Sequence, residues 1–201
     1  MLFRSSAARS IPLDEIEARD VPIELAVDEP GRIGVDRVLA GWRAYARLGA
    51  PAGRGAIAVT LGTALTITCV DRRGRVIGGA IAPSPLLAAR ALAQGTAVLP
   101  EVTLYDESPD LPSAIGSSTE SALAAGILRG SRAALIGLIA DASAEMLRRD
   151  PGAPAPALAL GGGAASAGWS AGIAADLREP DLVLHALLAL PERASTGGQA
   201  R

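Results

Sequence analysis

The chain has 201 residues, 49% of them hydrophobic but only 2% aromatic, with a formal net charge of -2. That length can bury one sizeable core, here built from Ala, Leu, Val and Ile, and the near-neutral balance gives no electrostatic reason to expect nucleic acid or an anionic membrane as partner. There is no Lys, which excludes a lysine-dependent phosphate loop, while the single Cys69 and single His185 exclude an internal disulfide and a Cys/His zinc site.

Leu2-Phe3-Arg4-Ser5 reads as the translation of a sequencing-adapter end, so the expectation is a non-native start, with no apolar region of the signal-peptide kind behind it. Arg129 and Arg132 break the longest apolar stretch that could span a membrane, and a cytoplasmic protein is expected. Residues 6 to 33 hold one short strand candidate, Val21 to Val27, interrupted by Pro22. From Val35 to Leu48 apolar residues recur at helical spacing, and the Gly/Pro run 49 to 53 ends that helix. Three β-type runs follow: Ile57 to Leu61, Ala64 to Val70 and Arg75 to Ile81. Gly62-Thr63 joins the first two, and Asp71-Arg72-Arg73-Gly74 has the composition of a hairpin turn between the second and third.

A helix is predicted from about Leu86 to Ala93, then an extended segment over Val98 to Leu104 and a Pro- and Asp-rich loop to Ser113. Ser117 and Glu120 have capping-box spacing at the head of a helix that reads as two pieces, one ending at Gly130 and one from about Ala133 to Arg148. A Pro/Gly linker precedes a buried strand, Ala157 to Leu160, which runs into Gly161-Gly162-Gly163 and a further helical segment. Helix, three consecutive strands, helices and a return strand amount to an α/β plan. Residues 191–201 read as a flexible tail.

Four places can carry chemistry. At Gly34-Val35-Asp36-Arg37 a carboxylate able to take a proton stands beside a guanidinium able to hold a carboxylate, although the same residues suit a helix cap and a solvated arginine. The Gly62-Thr63 turn can bring backbone N–H groups and a hydroxyl to an anion, or simply turn the chain. Gly161 to Gly163 bare the backbone for a base or phosphate, without the spacing of a dinucleotide fingerprint. Ser118-Thr119 hydroxyls at a helix start suit either a cap or a ligand. Cys69, His185, Trp42 and Trp169 read as packing or surface residues.

In content and order these segments resemble type III pantothenate kinases. Gly34-Val35-Asp36-Arg37 matches the Gly-x-Asp-Arg of that family, and Thr60-Leu61-Gly62-Thr63-Ala64-Leu65-Thr66 matches its Asp-x-Gly-Thr-Ala-x-Thr except at the first position. Gly78-Gly79-Ala80-Ile81-Ala82-Pro83, Thr96-Ala97-Val98-Leu99-Pro100, Ile115-Gly116-Ser117-Ser118-Thr119 and Leu160 to Gly163 complete the set. The resemblance implies a ribonuclease H-like fold of the actin/Hsp70/sugar-kinase superfold, mostly the C-terminal half of its duplication. Residues 1–33 would be a remnant of the preceding half and 34–190 the kinase domain.

It further implies an ATP- and Mg2+-dependent transfer to pantothenate, the opening step of coenzyme A synthesis, by a homodimer that binds neither nucleic acid nor membrane. Asp36 would be the catalytic base. Gly34, Val35, Asp36, Arg37 and Thr119 would contact pantothenate, and Gly62, Thr63, Gly161 and Gly162 would contact ATP. The family's monovalent-cation carboxylate is replaced by Thr60, which puts potassium dependence in doubt. The family's first-strand Asp-x-Gly-Asn-Thr loop has no counterpart in a chain without Asn. Without that loop the chain alone is expected to be inactive, and Thr60 makes a non-catalytic relative the alternative.

Overall fold

A computed structural model describes residues 15–104 and 110–191. The adapter-like start, residues 105–109 of the Pro/Asp-rich loop and the tail beyond 191 lie outside the described residues.

Strands β1 (Glu24–Leu25), β2 (Ala56–Leu61), β3 (Ala64–Val70), β4 (Arg75–Pro83), β5 (Ala157–Gly161) and β6 (Leu177–Arg178) form one mixed sheet in the order β1-β4-β3-β2-β5-β6. The expected meander is there: β2, β3 and β4 are antiparallel neighbours, while β5 returns parallel to β2. Asp71 fixes the second turn, accepting the backbone N–H groups of Arg73 and Arg75 at 3.0 Å each and pairing with the Arg75 guanidinium. Gly74 follows at φ +77, in contact range of the Tyr45 ring.

The sequence of β2, Ala-Ile-Ala-Val-Thr-Leu, alternates small and large, so the sheet has two unlike faces. Ala56, Ala58 and Ala159 meet Ala40 and Ala44 of helix α1 (Val35–Ala44), with Leu182 of α4 (Leu182–Leu188) on the same side. Ile57, Val59, Leu61, Leu65, Ile67 and Leu160 face Leu128 and Leu135 of α3 (Thr119–Arg149), together with Trp169. Cys69 belongs to this second core, where burial pushes its thiol up to about 11. Residues before α1 join the first side, Val21 packing with Val38, Leu39 and Ala186.

The end of α1 widens into a π-type turn, Tyr45–Gly49, before Gly53 stops the helix in the left-handed region at φ +62. Helix α2 (Pro85–Gly95) starts on Ser84, whose hydroxyl accepts the Leu87 N–H at 3.2 Å, with Pro85 at the first position.

Four local expectations need correction. Helix α3 is one element of 31 residues, not two. Gly126, Gly130 and Gly137 each cost about 1 kcal/mol relative to Ala in a helix, but burial of Ile127, Leu128, Leu135 and Met146 along its length outweighs them. Its cap is displaced by one residue from Ser117/Glu120. Ser118 accepts the Ser121 N–H at 3.2 Å, and the Ser121 hydroxyl accepts the Ser118 N–H at 2.9 Å. Val98 to Leu104 forms no strand, because no neighbour among the described residues offers a ladder; Val98 is 89% exposed, and only Val102 is buried, against Ala89 and Ile127. Beyond Gly162 a short 3-10 turn, Gly163–Ser166, replaces the expected helix. The loop that follows is held by Arg178, which donates to the carbonyls of Ala165 and Ile173, and by Arg132, which donates to Ala171 at 2.7 Å.

Candidate active site

The first turn of α1 is not capped by a side chain. Gly34 is the N-cap residue, and Asp36 lies within the helix. The Asp36 carboxylate folds back over Gly34, so closely that a Cβ on residue 34 would lie 2.6 Å from Oδ1. It is exposed and makes no hydrogen bond or ion pair among the described residues. The capping reading of Asp36 therefore fails, and its carboxylate is available. Arg37 turns the other way, onto the sheet. Its Nη2 donates to the carbonyl oxygen of Ile67 at a long 3.5 Å, and its Nε is buried with no partner. A buried Nε with an unspent donor is costly unless something fills the place.

The sheet face under Arg37 carries hydroxyls. Strand pairing sets Thr66 opposite Thr60 and Thr68 opposite Ala58 and Gly79, on the side covered by α1. The Thr60 and Thr66 hydroxyls are 2.5 Å apart, while Thr68 Oγ1 is buried without a partner. At the end of these strands the Gly62-Thr63 turn is exposed. Gly161 pairs with Thr60, and Gly162 packs on the backbone of Leu61. Gly62, Thr63, Gly161 and Gly162 thus converge at one end of the sheet.

Thr119 is elsewhere. It lines a groove with Leu65, Pro83, Leu92 and Leu123, between α2 and α3 and on the opposite face of the sheet from Arg37. The sequence reading missed Thr66, Thr68 and Gly79; the alternation Leu65-Thr66-Ile67-Thr68-Cys69 carried the signal for the first two. His185 makes a 2.7 Å contact from Nδ1 to Glu179. Burial opposes ionisation of that carboxyl, but hydrogen bonds from His185 and Arg43 outweigh it and hold Glu179 below its ordinary range. This cluster lies between α1 and α4 and apart from Asp36.

A family model for type III pantothenate kinase matches residues 7–141. The chain belongs to the type III pantothenate kinase family. The member from Halorhodospira halophila is 40% identical over 162 residues, covering 80% of the chain and 58% of its own length. That from Sphingopyxis alaskensis is 36% identical over 168 residues, covering 84% and 60%, and that from Synechococcus elongatus is 38% identical over 130, covering 65% and 48%. The chain therefore spans about half to three fifths of the length of these relatives. A solved structure from Campylobacter jejuni, described as a conserved member of the Baf family, aligns with TM-score 0.52 at 17% identity, over 86% of this chain and 69% of that one. That likeness concerns the fold alone.

Proposed function

We propose that the protein carrying this chain transfers the γ-phosphoryl group of ATP to the primary hydroxyl of pantothenate, giving 4′-phosphopantothenate at the start of coenzyme A synthesis. The observation that carries the reading is the pair on the first turn of α1: an unpartnered carboxylate at Asp36 beside a guanidinium at Arg37 whose Nε lacks a partner. Asp36 accepts the hydroxyl proton as the oxygen attacks phosphorus and the bond to ADP breaks. Arg37, with the backbone of Gly34 and Val35, holds the pantothenate carboxylate. Gly62, Thr63, Gly161 and Gly162 line the place for the ATP phosphates and base. Mg2+ in this reading travels with the phosphates and water, which requires no all-protein cage. The antiparallel meander flanked by two parallel return strands supports assignment to the ribonuclease H-like superfold. The protein is taken as cytoplasmic.

The test is transfer of labelled phosphate from ATP to pantothenate by a protein of full family length, run in potassium and in sodium. Transfer is expected, and its absence overturns the reading. Because the Thr60 hydroxyl is already engaged with Thr66, equal rates in the two cations are expected; strong potassium activation would show that Thr60 still serves a cation site.

Homodimerisation is part of the proposal. Helix α3 is long and apolar enough by composition to cross a membrane, yet only 22% of its most apolar window is buried within the chain. The groove beside α2, about 860 Å³, has a floor of Ala122, Gly126, Gly130 and Ala134, spaced four apart so that another helix can approach closely. A second copy seated there would also cover Thr119. Gly130→Leu should convert dimer to monomer at micromolar concentration, measured by light scattering, without loss of protomer stability, because nothing lies within 4 Å of a Cβ at that position and Leu is the better helix former. A variant that stays dimeric places the interface elsewhere.

A further inference from the structure

The guanidinium of Arg37 lies against the bare backbone of residue 79, close enough that a side chain there would crowd it. Gly79 lies in β4 opposite Thr68, on the strand pair beneath the start of α1. A Cβ there would sit 3.1 Å from Arg37 Nη2 and 1.8 Å from the Ile67 oxygen, the same oxygen that Nη2 reaches at 3.5 Å. The neighbouring Gly78 differs, since a Cβ on it meets nothing within 4 Å. Bare backbone at residue 79 therefore leaves a notch beside Nη2 of the guanidinium. Held by one long hydrogen bond, with Nε buried and unpartnered, the guanidinium keeps donors for a bidentate partner, which a carboxylate is and an alcohol is not.

We infer that Gly79 is a positioning residue, whose missing side chain seats Arg37 for the substrate carboxylate and so sets the preference for an acid over its neutral analogue. This rests on the reading of Arg37 given under Proposed function.

The probes are pantothenate and pantothenol, in which a CH2OH group replaces the carboxylate, titrated into this chain while the arginine Nε–Hε resonances are followed by NMR. In the native chain the Arg37 signal, identified by its loss in Arg37→Lys, should be narrow and protected from exchange, should shift with pantothenate, and should hardly move with pantothenol. Gly79→Ala should broaden it and reduce the preference for pantothenate about tenfold, the scale of one charge-assisted hydrogen bond. Gly78→Ala strains a backbone at φ +124 but leaves the notch open, and should keep the preference. In an Arg37→Ala background Gly79→Ala should add no further loss, as expected of residues acting as one unit.

A folded Gly79→Ala chain with full preference, or additive losses, overturns the inference. If Arg37→Ala itself leaves the preference unchanged, the carboxylate role falls for both residues, and the NMR signal still reports whether the notch holds the guanidinium. Should Gly79→Ala not fold because its Cβ parts β3 from β4, the native spectrum decides. An Arg37 signal averaged like those of surface arginines overturns the inference, and a protected one upholds it.

Discussion

Replacing Asp36 by Asn is expected to lower turnover about 10²-fold or more in a protein of full family length, the scale of a lost general base. Phosphoryl transfer asks a protein for little beyond positioning and charge, so under the proposed function the group assigned to take the proton is the one most exposed to substitution. Asn has the shape of Asp and can fold back over Gly34 in the same way, but it cannot take the proton. Thermal stability should barely respond. The Asp36 carboxylate has no partner to lose among the described residues, and the only folding term is its favourable position at the start of a helix dipole, about 0.3–1 kcal/mol. Steady-state kinetics beside a melting curve read both quantities. A variant that unfolds while each folded molecule turns over normally would make Asp36 a structural residue.

Replacing Gly162 by Ala should cost about 3 kcal/mol or more and lower Tm by about 6–12 °C. Gly162 sits at φ +90, where an L side chain is strained by about 1–2 kcal/mol, and its Cβ would lie 2.6 Å from the Leu61 oxygen and 2.7 Å from the Leu61 nitrogen. Overlap with backbone cannot be relieved by a rotamer change, and forced overpacking costs typically 1–3 kcal/mol; conversion to Tm uses the slope for a chain of this length. The adjacent Gly163→Ala is the control, since residue 163 has no positive φ and a Cβ there meets nothing within 4 Å. Calorimetry that finds the two variants equally stable would show that β2 and β5 are not locked together through residue 162. Any ATP contact by this turn is thus superimposed on a packing requirement that already demands glycine.

The segments that were readable from sequence are those whose signal is local. Ala64 to Val70 is β-branched and apolar, Asp71 to Gly74 is turn chemistry, and both strands of that hairpin formed as expected. The start of α1 was readable for the same reason. What failed depended on partners far away in sequence. Gly130 to Arg132 look like a helix break until Leu128 and Leu135 are known to be buried under the sheet. Val98 to Leu104 looks extended until it is clear that no strand among the described residues lies beside it. Asp36 and Arg37 could be nominated from their spacing, whereas Gly79 stood out only as part of a glycine-rich strand end, because the overlap it avoids is with the Ile67 backbone across the β3–β4 register.

The layer of alanines between α1 and the sheet has a consequence for how such a chain can change over generations. Ala40, Ala44, Ala56, Ala58 and Ala159 are nearly all fully buried, and alanine has no rotamer with which to accommodate a larger neighbour. Enlarging any one pushes α1 away from the strands and carries Asp36 and Arg37 with it. On the α3 side, Leu, Ile, Val and Met can exchange volume among themselves. Mutational drift should therefore be free to rewrite one face of the sheet while the other stays frozen, and the frozen one is the face that carries the helix bearing Asp36 and Arg37.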